Sequence, residues 1–173
     1  SDLAGFTFAI WGVIYLLLLV MSVYLVTRKQ SEFSQFTGEI KQFTWLFVAS
    51  NVANSVWILA WHYLLILVSL LLMLLILVCL IQMMALVNRF KWSMSKYVFV
   101  KPAVGVYFGW ITVATVANVT TFLVAIGWNG FGISESTWLM GIIAVATGIA
   151  YFSIGWSRCS GYGLVILWAF WGI

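Results

Sequence analysis

Charged residues are scarce in this sequence of 173 residues, of which they make up only 7%. Soluble domains carry about a quarter charged residues, so a water-soluble fold is excluded. The long apolar stretches contain no Asp, Glu, Lys or Arg. Proton pumps, ion-coupled transporters and voltage sensors depend on charge inside the membrane, so the sequence does not support these classes of protein.

Residues for metal ligation and acid–base chemistry are equally few. The two cysteines, Cys79 and Cys159, are far apart, and His62 is the single histidine. This set predicts neither a disulfide framework nor a metal or haem-ligating site. There is also no Ser-His-Asp set, paired carboxylate or glycine-rich phosphate loop. We therefore predict no catalytic and no metal-ligating residue.

Apolar residues, in contrast, make up 65% of the chain. A helix needs about 20 apolar residues to cross the hydrocarbon core of a bilayer. The sequence predicts an all-α, polytopic transmembrane helix bundle, a single domain of residues 1–173 in contact with the lipid bilayer. The predicted spans cover residues 6–26, 43–61, 64–87, 104–126 and 137–156, and a truncated sixth helix begins near Tyr162.

The connections between the predicted helices carry further information. The second and third helices are separated by a few residues around His62, which predicts a tight antiparallel hairpin. The only proline, Pro102, is expected just before the fourth helix, where its missing N–H costs nothing.

On the fifth helix, Gly141, Gly148 and Gly155 recur every seven residues, which predicts a face where a neighbouring helix packs closely.

The basic residues lie on one side of the predicted bundle. All eight fall in the connections 27–42, 88–101 and 157–160, and none lies on the other side. By the positive-inside pattern we expect these three connections to be cytoplasmic. Basic residues placed in this way predict membrane topology and not nucleic-acid binding. Residue 1 would then lie outside, which leads us to expect a further helix before it.

Polar and aromatic side chains inside the helices follow helical spacing. Asn54 shares a face with Ser50, Trp57 and Trp61, whereas Asn118 shares one with Tyr107 and Trp110. Because an unpaired amide is costly in hydrocarbon, we expect these faces to turn inward. Two interpretations remain open. In the first, Asn54 and Asn118 pair with each other across helices. In the second, the faces line a cavity for an apolar ligand.

Three segments resemble the TspO/MBR family of tryptophan-rich sensory proteins, which includes the translocator protein or peripheral benzodiazepine receptor. Phe8-Ala-Ile-Trp11-Gly-Val-Ile-Tyr15 is similar to the family's F-x-x-W-x-x-x-Y helix, and Ala53-Asn54-Ser-Val-Trp57 to its L-N-x-x-W segment. The third segment, from Tyr107 through Trp110 and Ala114 to Asn118, resembles Y-x-x-W-x-x-x-A-x-x-x-N. Pro102 is displaced from where the family keeps its proline, beside the tyrosine.

The resemblance implies that residues 6–126 hold the second to fifth helices of a five-helix family bundle. The family's first helix would precede Ser1, and residues 137–173 would be additional helices, as in longer bacterial relatives. We therefore expect a protein of the bacterial plasma membrane. It also implies a pocket for a flat apolar molecule such as a porphyrin or haem-type tetrapyrrole. The implied ligand-binding residues are Phe8, Trp11, Tyr15, Asn54, Trp57, Trp110, Ala114 and Asn118.

We accordingly expect a TspO-like receptor or transporter for an apolar small molecule, with no resident cofactor. One alternative is a structural or assembly subunit, as a homodimer or with another membrane protein, and the glycines of the fifth helix favour it. A further alternative is a membrane enzyme that modifies a bound tetrapyrrole, although no acid–base residue is placed to help such a reaction.

Overall fold

The chain folds as a bundle of α-helices, in agreement with the expected fold class. The structure is a computed structural model that describes residue 5 and residues 9–28, 37–89 and 94–171, with the side chains of residues 37 and 94–97 left out. Its helices are α1 (Ile10–Thr27), α2 (Thr37–His62), α3 (Ile66–Arg89), α4 (Met94–Ala125), α5 (Glu135–Ser157) and α6 (Ser160–Trp171). Five of these are long and apolar enough to cross a membrane.

The helix α6 has only 12 residues, or about 18 Å at 1.5 Å per residue. This length is short of the hydrocarbon core of about 30 Å, so the described part of α6 does not span it. The predicted set of five spans and a shorter sixth helix is therefore confirmed.

The hairpin between α2 and α3 is also confirmed. Residues 63–65 connect the two helices, and Leu64 takes a positive φ of 56°. The N–H of Leu65 donates to the carbonyl of Ala60 at 2.8 Å, which closes the turn. The two helices consequently pack along their length as antiparallel neighbours.

Helix α4 lies at the centre of the bundle and packs against α1, α3 and α6. It begins at Met94, about ten residues before the predicted start, so Pro102 lies inside the helix. The expectation that Pro102 precedes the helix was therefore wrong. A proline removes one backbone hydrogen bond, but transmembrane helices tolerate this where neighbouring helices surround them. Pro102 is in such a place, since its carbonyl lies beside Gly161 at the start of α6.

Two glycines of α4 allow α6 to approach its backbone. A Cβ at Gly109 would lie 3.0 Å from the carbonyl oxygen of Tyr162 and 3.3 Å from its Cα, and a Cβ at Gly105 would meet the Sγ of Cys159. Glycines four residues apart are a common means of close helix packing in lipid. Nearby, the Tyr162 hydroxyl donates to Thr112 Oγ1 at 3.0 Å, buried between the two helices.

The expected close packing at Gly141, Gly148 and Gly155 is not found within this chain. A Cβ at any of the three would meet no atom within 4 Å. Of the residues of α5, only Ala150 and Ser157 are buried. Regular spacing of small residues shows that a helix can be approached closely, but it does not show which neighbour does so. Among the described residues of the α-helices, the glycines that meet another helix are Gly105 and Gly109 of α4 and Gly161 and Gly163 of α6.

We predict that Gly109→Ala destabilises the bundle whereas Gly148→Ala does not. The added methyl group at position 109 meets backbone atoms of α6, which cannot rotate away, and overpacking of this kind costs about 1–3 kcal/mol. The same methyl group at position 148 enters open space. Unfolding of the two variants in a series of SDS and mild-detergent mixtures measures the difference. Equal stability of the two would contradict the close packing of α4 and α6.

Candidate functional site

The indole ring of Trp11 is surrounded by aromatic rings from three helices. Its centroid lies 5.6 Å from that of Tyr15, 6.0 Å from Trp57, 6.1 Å from Trp110 and 6.2 Å from Tyr107. We call these five residues the aromatic cluster. The Tyr15 ring is stacked on Trp11, whereas Trp110 and Tyr107 meet it edge to face. Both arrangements are favourable for aromatic pairs at 4.5–7 Å.

The side chain of Asn118 connects three helices beside the aromatic cluster. Its Oδ1 accepts from Trp57 Nε1 of α2 at 3.3 Å and from Ser69 Oγ of α3 at 2.9 Å. Its Nδ2 donates to the carbonyl oxygen of Ala114, one turn earlier in α4, at 2.9 Å. The amide thus has partners on both of its polar atoms, as a buried amide needs in a low-dielectric environment.

Asn54 is held differently. Its Nδ2 donates to the hydroxyl oxygen of Tyr15 at 3.3 Å, which links α2 to α1. Of the two open interpretations, direct pairing of Asn54 with Asn118 is not found, because each amide bonds to aromatic or hydroxyl side chains of a neighbouring helix. Both asparagines nevertheless make the interhelical hydrogen bonds that this interpretation required.

Two buried polar atoms at the aromatic cluster have no hydrogen-bond partner, Asn54 Oδ1 and the hydroxyl of Tyr107. The Asn54 side chain bonds to Tyr15 and the Tyr107 ring contacts Trp11, so both atoms border the same group of rings. More than nine in ten buried polar groups in proteins are paired. An acceptor and a hydroxyl left over at one place provide two points at which a polar atom of a ligand could bond.

Most of the predicted ligand-binding residues come together here. Trp11, Trp57 and Trp110 are in contact through Trp11, with Asn54 and Asn118 at the edge. Ala114 is buried and contributes its backbone carbonyl. Tyr15 belongs to the cluster, but its side chain is 46% exposed and so lies at its border. Phe8 lies outside the described residues.

Some predictions about these faces need correction or addition. Trp61 was expected to face inward, but it is 39% exposed and lies in the last turn of α2. Ser69 was missed as a bonding partner. It is a lone hydroxyl in the first turns of the strongly apolar helix α3, and that isolation was an available signal. Tyr107 was placed on the inward face but not named as a ligand-binding residue.

The aromatic cluster lies toward one end of the bundle. Trp11 is one residue after the start of α1, and Trp57 is five residues before the end of α2. The basic residues Arg28, Lys41 and Arg89 lie at the other ends of α1, α2 and α3. Within the described part of the chain, no group of three His, Cys, Asp or Glu residues could hold a metal ion.

Five apolar helices of spanning length, three of which contribute the rings of the aromatic cluster, define a polytopic helical membrane protein. The sequence profile of the family described as TSPO-like protein matches residues 4–173. The chain therefore belongs to the TSPO-like protein family. The match includes α5 and α6 as well as the helices that carry the aromatic cluster.

Comparison of the chain with curated proteins gave no match, and neither did comparison with solved structures.

We predict that Asn118→Leu destabilises the protein by about 1–3 kcal/mol, because it leaves Trp57 Nε1 and Ser69 Oγ buried without their acceptor. The matched control is Asn51→Leu in α2. The Asn51 amide donates only to the Phe47 carbonyl of its own helix, so its loss breaks no bond between helices. Thermal unfolding in detergent measures both variants. A loss for Asn51→Leu as large as that for Asn118→Leu would contradict the interhelical role of Asn118.

Proposed function

We propose that this TSPO-like membrane protein is a receptor or transporter that binds a flat apolar ligand of the porphyrin or tetrapyrrole kind at the aromatic cluster. The observation that carries the proposal is the combination of five contacting rings with two unpartnered polar atoms at their edge. Flat rings bind a flat ligand by stacking, and a few polar atoms then orient it. The ligand would replace contacts between the rings by contacts with its own plane.

The polar atoms suit the edge of such a ring system. Asn54 Oδ1 can accept from a donor group on the ligand's periphery, and the Tyr107 hydroxyl can donate or accept. No described Lys or Arg lies at this end of the bundle. Carboxylates of a ligand would therefore extend into the aqueous interface near the start of α1, because a carboxylate without a cation is costly in hydrocarbon.

We predict saturable binding of protoporphyrin to the purified protein, weakened about 2- to 10-fold in Kd by Trp57→Phe or Trp110→Phe. A stacking contact contributes about 0.5–1.5 kcal/mol, which corresponds to that range. The change in the Soret absorbance of the porphyrin gives Kd, so that the removal of a tryptophan does not alter the signal itself.

The matched control is Trp45→Phe, which removes an indole that is 65% exposed on α2. Its Kd should equal that of the unaltered protein. If the porphyrin associates without saturation, or if all three variants bind it equally, ligand binding at the aromatic cluster is wrong.

A second candidate function is that of an assembly subunit in the membrane, as a homodimer or with another protein. The open space around Gly141, Gly148 and Gly155 favours it, since a helix of another chain could approach α5 there. The porphyrin titration separates the two candidates, because a subunit without a ligand would show no saturable binding. A tetrapyrrole-modifying activity would appear in the same titration as a porphyrin spectrum that changes with time under light and oxygen.

We also propose that the end of the bundle that carries Arg28, Lys41, Arg89 and Arg158 faces the cytoplasm of a bacterial cell. The support is the placement of the basic residues, which cytoplasmic connections prefer. By the same placement, the turn at residues 63–65 and the loop before α5 are on the outside.

The orientation predicts which positions react with a membrane-impermeant maleimide in intact cells. Tyr63→Cys, at a side chain that is 70% exposed in the outer turn, should react directly. Lys41→Cys should react only after the membrane is permeabilised. The native Cys79 and Cys159 are buried free thiols, so the unaltered protein serves as the control for background labelling. The reverse pattern of labelling would show that the bundle has the opposite orientation.

A further inference from the structure

The outward face of α5 carries a groove that no other helix of the described residues fills. Tyr151, Phe152, Ile154 and Gly155 line it, and its volume is ≈ 450 Å³. Ligand sites typically have about 300–1,000 Å³. The lining is apolar apart from the tyrosine hydroxyl. The groove exists because Gly155 has no side chain between its larger neighbours, and a Cβ there would meet no atom within 4 Å.

Arg158 lies at the end of α5, within one turn of the last groove residue, Gly155. Arg158 ends the helix in the left-handed conformation, and its N–H donates to the carbonyl of Ile154, a residue of the groove, at 3.0 Å. Positions 151, 155 and 158 follow the i, i+4, i+7 spacing of one helix face. The headgroup level beside Arg158 is therefore about 5 Å from Gly155 along the helix axis.

Arg89 is the last residue of α3, and this end of α3 lies beside the end of α5. The neighbouring Asn88 donates its Nδ2 to the carbonyl of Trp156 at 3.1 Å, which holds the end of α3 against the end of α5. Both arginines have exposed side chains. Lys101 is buried, and only its backbone carbonyl is placed near this junction, where it accepts from Cys159 Sγ at 3.6 Å. The described acidic residues are Glu39, at the start of α2, and Glu135, at the far end of α5.

We propose that this face binds one anionic phospholipid, with an acyl chain in the groove and the phosphate between Arg89 and Arg158. The groove alone would accept any acyl chain, and the arginines alone would accept any phosphate. A phospholipid satisfies both because its chain and its charge are joined at the headgroup level, where the groove meets the arginines. Basic pockets between helix ends are known sites for anionic headgroups. The lipid site is separate from the aromatic cluster, so neither proposal depends on the other.

Native mass spectrometry of the purified protein tests this, with phosphatidylglycerol and phosphatidylcholine of identical acyl chains as equimolar probes. We expect one bound phosphatidylglycerol in preference to phosphatidylcholine. Arg89→Gln with Arg158→Gln should weaken phosphatidylglycerol about 25-fold, at about 1 kcal/mol or 5-fold for each cation. Gly155→Leu should also lower its occupancy several-fold, because the new side chain fills the groove.

Matched variants separate the site from general effects. Arg28→Gln with Lys41→Gln removes the same charge from the same end of the bundle, away from α5, and should leave occupancy unchanged. Gly141→Leu makes the same change in open space on the same helix and should also have no effect. Thermal unfolding of each variant confirms that it is folded.

Several outcomes would overturn the lipid proposal. Equal occupancy by the two lipids would show that the arginines do not select an anionic headgroup. Displacement of phosphatidylglycerol by equimolar glycerol 3-phosphate would show a phosphate site that does not use the groove. A dimer that Gly155→Leu dissociates, with lipid occupancy unchanged, would show that a second copy of the chain occupies the groove instead.

Discussion

A buried amide in the interior of a membrane protein must find its hydrogen-bond partners within the protein. Asn118 does so with partners on three helices, α2, α3 and its own helix α4. Water and lipid tails cannot replace the donors Trp57 and Ser69, so α2, α3 and α4 are held at one register relative to one another. That register also sets the height of Trp57 on α2 relative to Tyr107 and Trp110 on α4. The aromatic cluster is therefore in part a product of a single polar side chain outside it.

Helix α4 separates two kinds of packing. One face carries Tyr107, Trp110 and Asn118, large or polar side chains that meet α1, α2 and α3. The opposite face carries Gly105 and Gly109, where the backbone of α6 comes close. Large rings keep helix backbones apart, whereas glycines let them come together. On one side α4 therefore packs through side chains, which can change rotamer, and on the other through backbone atoms, which cannot.

The sequence was sufficient for the number of spans, the α2–α3 hairpin and most of the inward aromatic residues, because hydrophobic length and helical spacing are local properties. It was not sufficient for the partners of the amides. Pairing of Asn54 with Asn118 was one of two open interpretations. The actual partners, Tyr15, Trp57 and Ser69, depend on how deep each helix sits beside the next. The same limit explains the glycines. Spacing identified those of α5, whereas the close contact with α6 was made by Gly105 and Gly109.

The three-residue turn between α2 and α3 has a consequence for how the chain enters the bilayer. Of the five spans, α2 is the least apolar and α3 the most apolar. With only residues 63–65 between them, neither helix can cross the membrane far ahead of the other. The favourable free energy of inserting α3 therefore offsets the cost of inserting Asn54 and its polar neighbours in α2. The hairpin is thus the unit of insertion, and its more apolar helix compensates for its more polar one.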